Sequence, residues 1–420
     1  MAVVFCVFHA TTANAADYTL KEVQDLIDGG RYDAARDLVA SSESGQLDEV
    51  ARSFVEALIL KHQGRLREAA DVMQKIVIAH PKFDRVRQEL AQAYYLLGDT
   101  TRAKNQFKLL ADSSQSPVFR STYNHYIDVI EMQRPWALDG YVALAPSTNV
   151  NNGVSADTVF IGGVPLTPRN KKQSGIGLSF GGTGTYRFDL NDYTALSVGA
   201  SFDGMKYKVK DFDDFAVHLF SELSYKTGDW RFGIGPTFDR TTYGWEGNNF
   251  GYGLQGSIQD RVGNGGDTVR LTGRLRYLDY DRVDAFDGVE STIGFRYQHI
   301  FSPSMLINVG AYGTVMNARA TFNAYKSVQP YVELYTELPW GMLGNVSASY
   351  QFRNYDAPFP WTGKNRQDRQ LDVGAGVTFR KLSYEGIAPR LEYHFVTDDS
   401  NVDLYDFSSH KVGLYLTKGF

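Results

Sequence analysis

Hydrolysis through a covalent intermediate needs a nucleophile beside a histidine, with an acid to orient the ring. The histidines are therefore the first residues to question. His218, His299, His394 and His410 have no distinctive serine or acid in their sequence context, and His62, His80 and His125 stand isolated. Cys6, the single cysteine, falls in a segment that reads as a leader, which leaves a mature chain without thiol chemistry, disulfides or cysteine-ligated metal. Asp398, Asp399, Asp403 and Asp406 crowd one stretch, but the glycine, spacing and terminal glutamate of a calcium loop are missing, so a solvated acidic loop accounts for them. There is no phosphate-cradling loop. The sequence thus predicts no enzyme, no cofactor and no metal. The remaining chemistry is charge. Arg270, Arg274, Arg276, Arg296, Glu333, Glu337, Arg353, Asp372, Arg390 and Glu392 all fall in segments that are otherwise apolar. If those segments close into a barrel, these residues line its lumen, as a polar conduit or as a static ion-paired interior.

Composition says which elements position them. The 420 residues carry a net charge of −5, which implies no general affinity for nucleic acid. Mean hydropathy is −0.31 and no run of 18 apolar residues occurs, against a bundle of membrane helices. Residues 1–15 read as a signal peptide, with an apolar run from Val3 to Phe8 and Ala13-Asn14-Ala15 as the cleavage site. The basic start of such a leader is missing, as expected if the true start lies upstream or the sequence is trimmed. Residues 16–135 are poor in glycine and read as helical. Residues 136–420 hold most of the 40 glycines and most of the 26 tyrosines and 26 phenylalanines, and read as strands and turns.

The helical part repeats with a period of 34, seen at Gly30, Gly64 and Gly98. Ala35, Ala69 and Ala103 keep the interval, as do Leu26, Leu60 and Tyr94, and Val39, Met73 and Phe107. That is the period of the tetratricopeptide repeat, in which a glycine ends the first helix of each pair. Residues 117–133 form a further amphipathic helix that caps the stack. Such repeats bind protein segments on the face lined by their first helices, and Phe54, Leu58, Arg85, Gln88, Gln92 and Tyr95 are the candidates for that face. Packing alone is an equal account of some of them.

The second part alternates with a period of two. Val269, Leu271, Leu275 and Tyr277 interleave with Arg270, Thr272, Arg274 and Arg276, and Val346, Ala348, Tyr350 and Phe352 interleave with Ser347, Ser349, Gln351 and Arg353. The segments are longer than ordinary globular strands and carry aromatics near their ends, which favours a membrane barrel over a soluble sandwich. Strands are predicted at 138–149, 174–188, 193–204, 213–226, 229–241, 248–260, 267–280, 288–301, 304–317, 325–338, 342–355, 367–380, 385–397 and 407–420, an even number as bacterial barrels require. Long connections follow the first strand and every second one after it, including 242–247. Short ones, including 381–384, follow the others. Short turns belong to the periplasm, which places the helical region there. Leu414, Leu416 and Phe420 form a terminal assembly signal, interrupted by Lys418. Pro146, Pro236, Pro330 and Pro389 fall inside strands and predict local irregularity. The fold class is an α-solenoid followed by a 14-stranded antiparallel transmembrane β-barrel.

This architecture resembles the surface lipoprotein assembly modulator (Slam) family. The opening strand, Gly140 to Asn152, looks like that family's first strand and following loop, with Leu144, Ala145, Pro146, Asn149 and Asn151 as its marked positions. The resemblance implies a translocation factor that carries a lipoprotein or soluble passenger to the surface. It also implies a monomeric barrel delivered to the bilayer by the outer-membrane assembly machinery, with no nucleic-acid partner. The residues alone leave open a polysaccharide export porin or a passive solute porin.

Overall fold

The structure is a computed structural model that describes residues 15–40, 47–114, 117–133, 135–262, 267–302, 304–360, 362–384 and 386–418. Nearly all of the predicted leader, and Phe420 of the predicted assembly signal, lie outside the described residues. The chain divides into a helical unit, up to residue 111 with 116–127, and a second unit, 112–115 with 128–420.

Seven helices come first: α1 (Ala15–Asp28), α2 (Tyr32–Ala40), α3 (Leu47–His62), α4 (Leu66–Ala79), α5 (Asp84–Leu96), α6 (Thr100–Ser113) and α7 (Pro117–Gln133). The same turn is built three times. Gly30, Gly64 and Gly98 adopt φ of +71°, +78° and +75°, where a side chain is disfavoured. Their N–H groups donate to Ile27, Lys61 and Tyr95 O, and the next N–H groups reach back to Leu26, Leu60 and Tyr94 O at 2.8–2.9 Å. This paired bonding satisfies carbonyls that the helix end would otherwise orphan. The turn residues Arg31, Arg65 and Asp99 then accept the N–H of Ala35, Ala69 and Ala103, all of them 0% exposed. Zero exposure is what close helix approach demands. Val39, Met73 and Phe107 fill the space between pairs. Phe107 stacks on Tyr126 of α7 with ring centroids 4.8 Å apart. The arrangement is consistent with tetratricopeptide repeats.

The second unit is a closed antiparallel barrel of 14 strands. They are β1 (Trp136–Ser147), β4 (Gly175–Asp189), β5 (Thr194–Lys206), β6 (Asp214–Thr227), β7 (Trp230–Tyr243), β8 (Glu246–Val262), β9 (Asp267–Tyr280), β10 (Gly288–Ser302), β11 (Met305–Ala318), β12 (Tyr325–Leu338), β13 (Met342–Pro358), β14 (Asn365–Phe379), β15 (Ile387–Ser400) and β16 (Phe407–Lys418). Each pairs with its sequence neighbours, and β1 pairs with β16 to close the ring. Every predicted strand is present with ends moved by a few residues. Sequence reading missed a two-stranded hairpin, β2 (Val159–Ile161) and β3 (Val164–Leu166), inside the first long loop. Its signal was Gly162-Gly163 between apolar triplets, and both glycines take positive φ.

The ladder fixes two faces. Leu144, Leu178, Leu275, Ile293, Val346 and Leu414 are exposed although large and apolar, as residues that face lipid must be. The alternate positions, which carry the charges, face the lumen. No described helix is long and apolar enough to cross a membrane.

Two expectations about connections are corrected. The predicted long loop 242–247 is a two-residue turn at Gly244-Trp245, with φ of +62° and +63°. Positive φ at both positions matches the strand twist, so β7 and β8 pair up to Tyr243↔Glu246. The predicted short turn 381–384 is a longer connection containing a 3₁₀ turn, Arg380–Leu382. The four prolines do not shift the register. Pro146, Pro236, Pro330 and Pro389 each pair with one neighbour, at Ile176, Leu254, Ala311 and Leu416. On the other side, the pairings around Pro146, Pro236 and Pro330 drop out and resume in the same register. A proline lacks one N–H, and that N–H would have faced one neighbour only. The register shifts lie elsewhere, at Thr241/Thr242, Ile300/Ser302 and Asn354/Pro358.

Candidate functional site

All ten charged residues predicted for the lumen occupy its face, by ladder register. Strand pairing also gives most of them partners. Arg276 sits between Glu290 (2.9 Å) and Asp239 (3.1 Å), and Arg274 lies 3.5 Å from Glu290. Arg380 bonds Glu337 at 2.8 Å, Asn308 donates to Glu333 at 3.0 Å, and Arg296 donates to the Tyr331 hydroxyl at 3.0 Å. Arg353 donates to Gln351 and lies 4.0 Å from Asp368, which is held closely by Arg366 at 2.7 Å. Arg390 pairs with Glu392, and Asp372 with His394. Arg270 alone of the ten has no ion-pair or hydrogen-bond partner among the described residues. It faces Arg296 and Gln259 across the ladder. Most of these ten charges are therefore compensated, by partners on a neighbouring strand or on the same one.

Three of the four barrel histidines have acid partners, contrary to the sequence reading, while His410 meets the Tyr393 hydroxyl at 2.8 Å. His218 meets Asp239 at 2.7 Å, His299 meets Asp267 at 2.9 Å, and His394 meets Asp372 at 3.2 Å and Glu392 at 3.5 Å. Asp239, Asp267 and Asp372 come from adjacent strands, where one-dimensional context could not reveal them, whereas Glu392 stands two residues from His394 on the same strand. The Ser347 hydroxyl and the His394 ring both overhang Gly374. Both ring nitrogens, however, have carboxylate partners, so the ring is not aimed at the hydroxyl as a general base would be.

The first-strand motif is a clasp. Asn149 is 2% exposed; its amide donates to Gly153 O (2.8 Å) and Ser408 O (3.1 Å) and accepts from Gly153 N–H (2.9 Å). One side chain thereby ties the long loop to β16 at the closure. Asn151 donates to Lys171 O at 2.8 Å and accepts from Gln173 N–H at 3.0 Å, which closes the base of that loop. Leu144 faces lipid, as do Leu414 and Leu416, while Ala145 is buried on the lumen side beside Pro146.

Sequence reading missed a loop motif, Val-x-x-Phe/Tyr-Asp, that occurs at 209–213, 283–287 and 402–406. Each copy forms a 3₁₀ turn: Lys210–Phe212, Asp284–Phe286 and Asp403–Tyr405. In each, the final aspartate accepts the N–H of a residue at the end of the preceding strand. Asp213 takes Tyr207 (2.6 Å), Asp287 takes Tyr280 (2.8 Å) and Asp406 takes Ser400 (2.6 Å). The copies also bind the next loop round the rim: Asp213 O accepts Gly244 N–H, Asp287 O accepts Arg319 N–H, and Asp403 accepts Phe160 N–H. The recurring five-residue pattern was the signal that could have found them.

Asp213 and Asp406 nonetheless differ. Burial presses the Asp213 carboxyl upward, but the Tyr207 N–H, the Trp245 indole (2.5 Å) and Lys206 outweigh it, and its pKa lies below the ordinary value. Asp406 lies above it, through burial first, then Asp399, Asp403 and Asp368, against the opposing Ser400 N–H.

On the helical unit, Phe54 and Leu58 are corrected. They are 5% and 6% exposed and belong to the packed interior of α3, not to an open face. Arg85 is exposed, and Gln88, Gln92 and Tyr95 are half-buried on α5. Arg85 lies 2.8 Å from Glu89, and Lys61 of α3 bridges Glu89 (2.5 Å) and Gln92 (2.7 Å). The candidate face is thus a charge-linked seam between two first helices.

Residues 136–420, the whole barrel, match the profile of a family described as "Surface lipoprotein assembly modifier". The chain is similar to "Hemophilin secretion modulator" of Acinetobacter baumannii, 21% identical over 89% of this chain and 79% of that protein. It is also similar to "Surface lipoprotein assembly modifier 2" of Neisseria meningitidis serogroup B, 24% identical over 90% of this chain and 82% of that one. Among solved structures, the outer membrane channel DcaP of Acinetobacter baumannii aligns at a TM-score of 0.40 and 10% identity, covering 68% of this chain and 97% of that one.

Proposed function

The chain belongs to the surface lipoprotein assembly modifier family, and from that premise we propose that it delivers a lipoprotein or a soluble passenger protein across the outer membrane to the cell surface. The observation that carries this reading is the family match over every strand of a closed barrel whose outer face is apolar and whose inner face is charged. Relatives whose names speak of surface lipoproteins and of hemophilin secretion support both passenger types.

The helical unit works in the periplasm. Support comes from the barrel's own ends: β1 begins and β16 finishes at the end that carries the short turns 190–193 and 228–229, the periplasmic end in bacterial barrels. There the α5 face with Arg85, Gln88, Gln92 and Tyr95 engages the passenger. The protein acts without enzymatic chemistry or nucleotide, reaches the bilayer through the barrel-assembly machinery and works as a monomer. The test is co-expression with each protein encoded beside it, with antibody detection on intact cells. A neighbour should reach the surface only when this chain is present; unchanged exposure of every neighbour would refute the proposal.

A further inference from the structure

One row of the ladder collects four cations on the lumen face. Lys226 on β6 pairs with Arg231 on β7, Arg231 with Gln259 on β8, Gln259 with Arg270 on β9, and Arg270 with Arg296 on β10. The alternate residues Tyr225, Phe232, Ile258, Leu271 and Phe295 are large, apolar and exposed, which puts the row itself inside. Lys226 and Arg231 stand one residue from the short turn, Arg270 three residues after the start of β9, and Arg296 six residues before the end of β10. The row therefore climbs from the short-turn mouth into the lumen. Arg231 and Arg270 have no ion-pair or hydrogen-bond partner among the described residues, and Arg296 donates to a neutral hydroxyl, that of Tyr331. The lumen acids of the same strands stand apart from the row. Asp239 and Glu290 engage Arg276, and Asp214 and Glu246 open their strands at the opposite end. Glu222 is two rows further in, with its carboxylate over Gly233. The next row inward is Ser224, Gly233, Ser257, Thr272 and Gly294, all small. A low shelf thus runs beside the cations, and it ends where the Tyr312 ring covers Gly294.

Charge and spacing restrict the occupant. Like charges in one row repel, and several negative charges on one ligand relieve that repulsion. A guanidinium presents a planar fork that matches a carboxylate. Neighbouring strands lie about 4.8 Å apart, so the four cations span about 19 Å of wall at a mean interval of about 6.4 Å. Side chains on one face of an extended peptide recur every ~6.6 Å. The match is to a chain that is acidic at alternate residues, and long arginine side chains absorb the uneven steps. Gln259 fills the gap between Arg231 and Arg270 with one donor group and one acceptor, as a peptide amide requires. We propose that the row from Lys226 to Arg296 binds an extended acidic peptide segment at the short-turn mouth of the lumen; the delivery reading, on which this rests for the source of the peptide, makes that segment part of the passenger.

The test uses the full chain in detergent micelles and a fluorescent peptide of alternating Glu and Ser, followed by anisotropy. Its counterpart with Gln in place of Glu is the neutral control. The acidic peptide should bind, several-fold more weakly as salt is raised, and the neutral one should not. Arg231→Gln with Arg270→Gln should weaken binding about tenfold or more, since each loses a charge-assisted hydrogen bond. Arg319→Gln, in the exposed connection after β11, should leave it unchanged. No binding, equal binding of the two peptides, or binding that survives the double substitution would each overturn the proposal. So would displacement by an oligogalacturonate as effective as the unlabelled acidic peptide, which would make the row a site for acidic sugar chains. If the double variant does not fold, a photoreactive form of the acidic peptide decides on the wild-type chain. Its crosslinks should map to 224–233 and 257–272, and crosslinks confined to other strands would refute the site. Surface delivery by the wild-type chain is scored separately. Delivery without peptide binding sinks the row alone, whereas binding without delivery sinks the delivery reading and leaves an acidic-peptide site.

Discussion

At the scale of single residues, the side chains that matter most are those that hold backbone in place. Asn149 satisfies backbone groups on both the loop it belongs to and the far end of the chain. Asn149→Ala leaves these buried groups unpaired at a cost of about 1–3 kcal/mol. The expected result is a lower temperature for loss of the compact band in heat-modifiable gel mobility, with faster proteolysis within 148–174. An unchanged transition would mean that the clasp is incidental. Asp213 gives a pH prediction. Its folded pKa lies below the ordinary 3.8, so its stabilising contribution is fully present above the unfolded value and is lost as pH falls through the folded one. Trp245, which donates to Asp213, should keep constant emission from about pH 8 down to about pH 4 and change only below that. A transition near neutrality would contradict the assignment. The residue scale is also where sequence reading was weakest. Asp239, Asp267 and Asp372 reach His218, His299 and His394 from neighbouring strands, and the burial of Phe54 and Leu58 depends on packing of whole helices.

At the scale of elements, the chain was largely legible. The glycine column at 30, 64 and 98 was visible as a period, and its cause is a left-handed turn that the bonding pattern requires. Gly64→Ala meets nothing within 4 Å, so its cost is backbone strain alone, about 1–2 kcal/mol. Thermal melting of the full chain followed by helical circular dichroism should register it, and Gly64→Asn, which tolerates that conformation, should recover part of the loss. Equal loss in both variants would point to packing. The misread connections have a local cause too. Gly244-Trp245 was hidden because tryptophan is an unusual residue at positive φ.

At the scale of the molecule, the organising fact is the alternation of face. Val332 points to lipid, and Ser349 points to the lumen opposite Asp372. Val332→Lys is expected to cost about 2–4 kcal/mol if it lies near the bilayer midplane. Ser349→Lys should be close to neutral, because it gains a carboxylate neighbour. The same gel-mobility transition distinguishes them, and equal losses would mean that the two faces are wrongly assigned. Arg276 contacts both Glu290 and Asp239 from neighbouring strands, so its removal loses two ion pairs rather than one.

The sequence by itself determined the two-part organisation, the helical period, the number of strands and which residues share a face. Each follows from a short-range rule: a glycine where the chain must turn left, a period near two where one face meets lipid and the other water. The tertiary structure decided which charges neutralise one another, which histidines meet acids, how the long loops interlock and which small residues of the membrane face become neighbours. Those outcomes depend on the register between strands far apart in the chain. Gly184, Ala200 and Ser221 on the outer faces of β4, β5 and β6 show why. Three small residues on three strands are unremarkable in one dimension, and only the ladder makes them neighbours.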